Sequence, residues 1–279
     1  MATLSRVSSR RSRRARAFAT YAALIALTVV FLFPLLWIVS LSLKTRLQMF
    51  NAPPLSLWWP TLENYAAVLN NASFAHAFVN SVIVSACAVS LSLLVGVPAA
   101  YAMARRNFPG KQMVMLLFLL PLLVPPITYG IPMATVLYRV HLAGTISGVI
   151  LANLVPTVPF VILIMIPFVE QIDPRVEAAA RVFGAGMGRL FVQVLVPLLT
   201  PGILAALLLV LVRTIAMFEL TFLTAGPNSQ TLVVALYYAV FAAGVRPQQS
   251  IDAMAVVYMI TTLIWLLIAL RFEIGRAHV

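Results

Sequence analysis

Charged side chains are scarce in this 279-residue chain. Asp, Glu, Lys and Arg together make up 9% of it, and only seven residues are acidic. A soluble domain of this length usually carries about 25% charged residues. Hydrophobic residues reach 62% and the mean hydropathy is +1.02, which is more apolar surface than a water-soluble fold can bury. The composition excludes an ordinary soluble domain and predicts one membrane domain.

Several kinds of site are also missing from the sequence. Cys87 is the only cysteine, which excludes an intrachain disulfide. No G-x-x-x-x-G-K-[ST] phosphate loop occurs, and the few acidic residues and three histidines are dispersed, without metal-ligand spacing. We therefore expect no catalytic residue, metal site or cofactor in this chain, and no enzyme activity. A membrane-embedded enzyme, such as a lipid transferase or protease, remains a remote alternative.

Six apolar segments approach the ~20 residues that a helix needs to cross the hydrocarbon core. Helices are expected because lipid cannot satisfy open backbone groups. The sequence predicts an all-α integral membrane protein with six transmembrane helices, at about 18–43, 77–104, 113–138, 146–167, 200–224 and 251–270. A further apolar stretch at 225–250 is shorter, and we interpret it as a re-entrant or interfacial helix.

The basic residues predict the orientation of these spans. Of the nineteen Lys and Arg residues, Lys44, Arg46, Arg139 and Arg246 fall on one side and Arg213 falls within a span. The other fourteen fall on the opposite side, which by the positive-inside rule is cytoplasmic. Both termini are then inside the cell (N-in/C-in). The net charge of +12 thus reflects membrane topology and gives no indication of nucleic-acid binding.

The loop between the fourth and fifth spans, residues 168–197, is unusually polar for this chain. It carries three acidic and three basic side chains and an alanine run, Ala178-Ala179-Ala180. Its Ala-rich composition favours a helix within the loop. A polar, helix-forming loop in an otherwise apolar chain is expected to contact another protein in water.

This loop resembles the cytoplasmic coupling motif of ABC-transporter permeases of the binding-protein-dependent importer type. That motif reads Glu-Ala-Ala, three residues, Gly, nine residues, an aliphatic residue, any residue, Leu and Pro. Here Gly184 is followed by nine residues and then by Val194-Leu195-Val196-Pro197. The first half departs from the pattern, because the motif's glutamate falls on Ala178 and Glu177 lies one residue earlier.

Shorter motifs resemble the carbohydrate branch of the same family, in particular the smaller permease subunit of maltose-type importers. They are Asn64-Tyr65, Asn80-Ser81, the run Ala99-Ala100-Tyr101-Ala102 with Arg105, and Phe108-Pro109-Gly110-Lys111. The resemblance implies the transmembrane domain of a type I ABC importer. It also implies contact with an ATPase through six residues of the loop: Glu177, Ala178, Ala179, Ala180, Arg181 and Gly184.

The resemblance further implies the partners and the organisation of the chain. A second permease subunit, two ATP-binding ATPase subunits and a soluble substrate-binding protein are expected in a bacterial inner membrane, with ATP used by the ATPases. The cargo is a sugar, oligosaccharide or polyol; amino acids, polyamines or phosphate esters are the alternative. We expect a basic tail at 1–17, the first helix and outer loop at 18–74, the type-1 core at 75–271 and a second tail at 272–279.

Two charged residues inside the fifth predicted span are candidates for the substrate pathway. Arg213 and Glu219 are costly to bury in a membrane, so each is a functional candidate by default. Six residues apart on a regular helix, they do not face each other. They therefore line the pathway at different points or pair with other chains. Asn80 and Tyr129 complete the candidate set.

Overall fold

The computed structural model describes residues 3–51, 53, 55–56, 59–241 and 247–274, with side chains from 17 to 271 within these ranges. Helices are the regular secondary structure of the described chain, with no strand in these ranges. The helices are α1 Thr3–Ser42, α2 Arg46–Asn51, α3 Glu63–Leu69, α4 Ala72–Arg105, α5 Lys111–Leu123, α6 Pro126–Arg139, α7 Ile146–Glu170, α8 Pro174–Val182, α9 Met187–Arg189, α10 Val196–Ile215, α11 Glu219–Thr224, α12 Leu232–Phe241 and α13 Gln248–Ile274. A π-helical segment, Leu190–Leu195, joins α9 to α10.

Five stretches of the described chain are long and apolar enough to cross a membrane, and a sixth is possible if one bent pair counts as a span. The five are Ala17–Ser42, Ala72–Arg105, Ile146–Glu170, Met187–Ile215 and Gln248–Arg271. The helical membrane fold predicted from the sequence is confirmed. The basic tail at 1–17 and the second tail at 272–279 lie almost wholly outside the residues whose side chains are described.

The third predicted span, 113–138, is not one straight helix. Helix α5 ends at Leu123, α6 begins at Pro126, and the two meet at a 102° bend. Pro125 and Pro126 cause the break, because each lacks the N–H that a continuing helix would use. Val124 precedes a proline and is extended, with ψ at 132°. This element is a broken span or a re-entrant loop.

The fifth predicted span, 200–224, is shifted towards the N-terminus. The continuous helical stretch runs from Met187 through the π segment to Ile215. Pro197 cannot donate a backbone hydrogen bond, and the Val196 N–H reaches back five residues to Phe191 O, as in a π turn. Past Ile215 the chain unwinds before α11. The Tyr258 hydroxyl donates to the Ile215 carbonyl at 3.2 Å and so satisfies one carbonyl at this helix end.

The chain forms two compact units. The first consists of residues 1–68 and 244–256. Within it, α3 covers the end of α1: the Asn64 amide donates to the carbonyls of Ser42 and Lys44 at 2.9 and 3.0 Å. The hydroxyls of Ser42 and Tyr65 are 2.6 Å apart. The Asn64-Tyr65 pair seen in the sequence therefore closes the C-terminal end of the first membrane helix.

The second unit, residues 69–243 and 257–279, contains the core. Helices α4 and α7 form its most extensive contact, and α10 packs against both. Small residues permit the close approach of such helices in membranes. At Gly96 of α4, an added Cβ would lie 2.6 Å from Val161 Cγ1 of α7. Val161, Ile162 and Met165 on this face of α7 are fully buried.

The apolar stretch at 225–250 forms helix α12, which has ten residues. Its length is about 15 Å at 1.5 Å per residue, so it is too short to cross the hydrocarbon core. The chain before it is tied to its neighbours, since the Gly144 N–H donates to Thr224 O and the Ser229 hydroxyl donates to Gly144 O, both at 2.9 Å. Residues 242–246 lie outside the described ranges.

Candidate functional site

Helix α8 lies in the predicted coupling loop and has defined ends. The Asp173 side chain accepts from the Arg175 N–H at 2.8 Å, and Pro174 occupies the first turn. At the C-terminus, Gly184 N donates to Arg181 O and Ala185 N donates to Ala180 O, which is the Schellman arrangement. It requires a left-handed residue, and Gly184 has φ of 84°.

The two faces of α8 differ in exposure. Glu177 is buried, and Ala180, one turn further along, packs against the core. Among the six predicted coupling residues, the remaining four are exposed: Ala178, Ala179, Arg181 and Gly184. Val182 and Phe183, at the end of the helix, are 86% and 90% exposed. We call Ala178, Ala179, Val182 and Phe183 the docking face.

The Glu177 carboxylate is held from three directions. The Tyr101 hydroxyl donates to its Oε2 at 2.6 Å, and Arg105 Nε donates to its Oε1 at 2.7 Å. Arg181, one turn along α8, lies 3.7 Å from Oε2. Both ion pairs found among the described residues involve this carboxylate. Glu177 therefore points into the protein, towards the end of α4.

Two further contacts reinforce this arrangement. Arg105 also donates to the Ile172 carbonyl at 2.5 Å, in the turn between α7 and α8. The Tyr101 ring meets the ring of Phe191, in the π segment, edge-on at 6.0 Å between centroids. Leu190 and Leu195 of the same segment are fully buried. The end of α4, helix α8 and the start of the α9–α10 stretch thus form one packed cluster.

Arg213 lies two residues before the end of α10. Its guanidinium stacks on Phe160 of α7, with 5.0 Å from Cζ to the ring centroid. Such a cation–π contact offsets part of the cost of burying the charge. The Arg213 Nε is buried and has no hydrogen-bond partner among the described residues. It is therefore available to an acceptor from a ligand or another chain.

The structure brings Tyr129 and Glu219 into the same region. The Tyr129 hydroxyl lies within electrostatic range of both Arg213 and Glu219. Their helices meet where α6 packs on α11: a Cβ added at Gly130 would lie 2.7 Å from Leu223 and 3.1 Å from Leu220. The regular helix assumed between Arg213 and Glu219 is interrupted after Ile215, so their helical angle does not follow from spacing alone. Three of the four pathway candidates therefore gather beside two helix breaks.

Asn80, the fourth pathway candidate, is buried, and its side-chain amide is hydrogen-bonded to the backbone. Its amide donates to the carbonyls of Asn228 and Gln230 at 2.9 and 3.0 Å, and the neighbouring Ser81 hydroxyl accepts from Leu232 N at 2.7 Å. Asn80 also lines a cavity of about 330 Å³ together with His76 and the 227–230 loop. Its contacts show an anchor for the chain leading into α12.

Sequence reasoning missed the partners of Glu177 and the exposure of Phe183. Tyr101 and Arg105 were visible only as part of a family-like motif, and Arg105 was counted as a topology-setting charge. One signal was present: Tyr101 and Arg105 are four residues apart, on one face of a helix end. A buried carboxylate requires such donors.

The sequence model of the family described as "Binding-protein-dependent transport system inner membrane component" matches residues 92–277, which is more than half of the chain. The matched range includes the end of α4, helix α8, the π segment and Arg213. It therefore contains both clusters described above.

Two curated relatives and one solved structure are similar to this chain. It is 32% identical to the diacetylchitobiose uptake system permease protein NgcG of Streptomyces coelicolor, over 72% of this chain and 67% of the relative. It is 33% identical to the trehalose transport system permease protein SugB of Mycobacterium tuberculosis, over 70% and 71%. A bacterial ABC transporter involved in the import of the acidic polysaccharide alginate matches with a TM-score of 0.82 at 19% identity, over 94% of this chain and 98% of that chain. At that identity, the match shows the fold.

Proposed function

Because this chain belongs to the family of binding-protein-dependent transport system inner membrane components, we propose that it forms half of the pathway of an ATP-driven sugar importer. The family resemblance and the type I importer fold expected from the sequence are confirmed. The chain is a multi-pass permease of a bacterial inner membrane, and its family is one of transporters rather than enzymes. A sugar, oligosaccharide or polyol is the proposed cargo, which the names of the two relatives favour.

The observation that carries the proposal is the docking face of α8. Large apolar side chains exposed at the tip of a polar loop are typical of protein contacts. The alanines beside them leave room for a partner's backbone to approach closely. We propose that this face inserts into an ATPase subunit on the cytoplasmic side. Movement of that subunit would then displace α8 as a rigid body.

The remaining subunits are those that the family resemblance implies. Without a phosphate loop in this chain, ATP binding falls to two partner ATPases. A second permease would complete the pathway, and a soluble binding protein would deliver the cargo. The family's description, binding-protein-dependent transport, supports the last of these partners.

The substrate pathway is proposed to pass Arg213, Tyr129 and Glu219. Transporters place cargo sites beside broken helices, where irregular backbone faces a cavity. The donor on Arg213, the carboxylate of Glu219 and the ring and hydroxyl of Tyr129 are groups that bind sugar hydroxyls and faces. Asn80 would act indirectly in this scheme, by fixing the chain that leads into α12.

Co-purification with the ATPase tests the docking claim. The double variant Val182→Ala, Phe183→Ala removes the exposed apolar groups without touching Glu177. We expect the ATPase bound per permease to fall at least tenfold, since buried aromatic anchors carry about 2 kcal/mol or more at such contacts. Tyr138→Ala is the matched control, because Tyr138 is also well exposed but lies near the C-terminal end of α6, outside the coupling loop.

Uptake by vesicles holding the whole complex tests the cargo class. Labelled disaccharide should be taken up with ATP and its uptake should be reduced by unlabelled sugars. Competition by amino acids, polyamines or phosphate esters instead would contradict the sugar assignment.

For the docking test, undiminished ATPase binding by the Val182→Ala, Phe183→Ala double variant would contradict the docking assignment.

A further inference from the structure

We propose that Glu177 does not contact the ATPase but is the positioning residue through which a displacement of α8 reaches α4. The proposal rests on the proposed function, because it takes α8 to be the element that the ATPase moves. The two faces of α8 then have different roles. The docking face contacts the ATPase, and Glu177 transmits the displacement of α8 to α4.

The burial of Glu177 is the first argument. Its side chain is 7% exposed, whereas that of Arg181, four residues later, is 55% exposed. Both carboxylate oxygens are already bonded within the chain, one to Tyr101 and one to Arg105. An ATPase side chain could reach this carboxylate only by displacing α8 from α4. Ala178 occupies the exposed position where the motif of the family has its glutamate.

The strength of the connection is the second argument. Charge-assisted hydrogen bonds are about twice as strong as neutral ones, and a buried carboxylate depends on them. Arg105 binds both Glu177 and the Ile172 carbonyl, so one guanidinium holds α8 and the turn before it. Separating α8 from α4 would break both of the hydrogen bonds that α4 donates to the Glu177 carboxylate. The two elements are therefore expected to move together.

The length and far end of α4 are the third argument. Helix α4 is continuous for 34 residues, which is about 51 Å at 1.5 Å per residue. In its N-terminal part, Asn80 and Ser81 hold the chain leading into α12. A shift at Tyr101 and Arg105 would thus reach Asn80, about 32 Å away along the same helix.

The experiment uses the complete reconstituted transporter with its ATPases, binding protein and a labelled disaccharide. Glu177→Gln keeps the size of the side chain and removes its charge, and Tyr101→Phe removes one donor. We expect wild-type amounts of ATPase to co-purify with both variants. The number of sugar molecules transported per ATP hydrolysed should fall at least tenfold for Glu177→Gln and less for Tyr101→Phe. Glu170→Gln, an exposed glutamate at the end of α7, should match the wild type.

Charge exchange separates this role from a merely structural one. A folding defect lowers transport and ATP hydrolysis together and leaves their ratio unchanged. The double variant Glu177→Arg, Arg105→Glu restores the opposite charges and should recover part of the ratio, whereas each single substitution should not. An unchanged transport-to-hydrolysis ratio in Glu177→Gln would overturn the proposal.

Two results tell this proposal apart from the proposed function. If the ATPase is lost from Glu177→Gln but retained by Tyr101→Phe, Glu177 contacts the ATPase itself and the positioning role is wrong. If the wild-type chain binds no ATPase at all, the proposed function fails before any variant is compared.

Discussion

At the scale of single residues, Asn80 shows how one side chain fixes a loop. Its amide donates to two carbonyls, of Asn228 and Gln230, that are about 150 positions away in sequence. Both carbonyls belong to a segment with no regular structure, so they have no ladder partner. Asn80 stabilises that segment because its one amide group supplies hydrogen-bond donors to both carbonyls.

Asn80→Ala should therefore lower the stability of the protein by about 1–3 kcal/mol, since buried carbonyls would lose their donors. Thermal unfolding of the detergent-purified permease measures this as a lower Tm. Asn70→Ala is the control, because Asn70 is exposed. Equal Tm values for Asn80→Ala and the wild type would show that the two carbonyls find other donors.

Residue types were easier to predict than residue partners. Glu177 was singled out from the sequence because its loop resembles the coupling motif of the family, and Arg213 because it lies inside an apolar segment. The direction of Glu177 was not predictable, since Tyr101 and Arg105 lie more than seventy positions earlier. The same holds for Arg213, whose contact with Phe160 depends on how α7 and α10 cross.

At the scale of helices, the crossing of α7 and α10 depends on Gly202. A Cβ added there would lie 2.5 Å from Phe168 Cγ, the ring atom nearest the backbone. Because that atom cannot move without the whole ring, one helix would have to shift. The absence of a side chain at Gly202 is therefore a requirement of the packing.

Gly202→Ala should destabilise the protein by about 1–3 kcal/mol, the usual cost of overpacking a core. The Tm of the purified permease is again the measurement. Gly188→Ala provides the comparison: nothing lies within 4 Å of its added Cβ, and the position is helical. Equal Tm values for Gly202→Ala and the wild type would show that α7 and α10 can shift apart without a loss of stability.

The sequence predicted straight helices well and broken ones poorly. The span expected at 77–104 is observed at Ala72–Arg105, and that expected at 146–167 at Ile146–Glu170. For 113–138, the prolines were visible, but whether prolines kink or break a helix depends on its neighbours. The break after Ile215 contains neither proline nor glycine, and the hydroxyl that caps it comes from α13.

At the scale of the whole molecule, the orientation in the membrane is the main prediction still open. It comes from the basic residues, many of which lie in the tails. Cys87 is the only cysteine, so Cys87→Ala gives a cysteine-free background. Tyr138, near the C-terminal end of α6, lies a short loop before the start of α7, and Gln171 lies at the end of α7. Both are exposed and can each be replaced by cysteine.

Tyr138→Cys should react with a membrane-impermeant maleimide in intact spheroplasts, and Gln171→Cys only after permeabilisation. This result follows if the α8 end of α7 faces the cytoplasm. The cysteine-free protein controls for background labelling. The reverse pattern would place α8 outside the cell, where no ATPase could reach it.

The exposed tip formed by Val182 and Phe183 has a consequence for how a cell must make this protein. Under the proposed docking of α8 on an ATPase, a permease made in excess of that subunit leaves the Val182 and Phe183 side chains exposed to water. Exposed apolar surface of this kind promotes chaperone binding, proteolysis and aggregation. Matched synthesis of the subunits is therefore a condition for accumulating the chain. Orphaned copies should be short-lived in the cell, and trimming both side chains to alanine should lengthen their half-life.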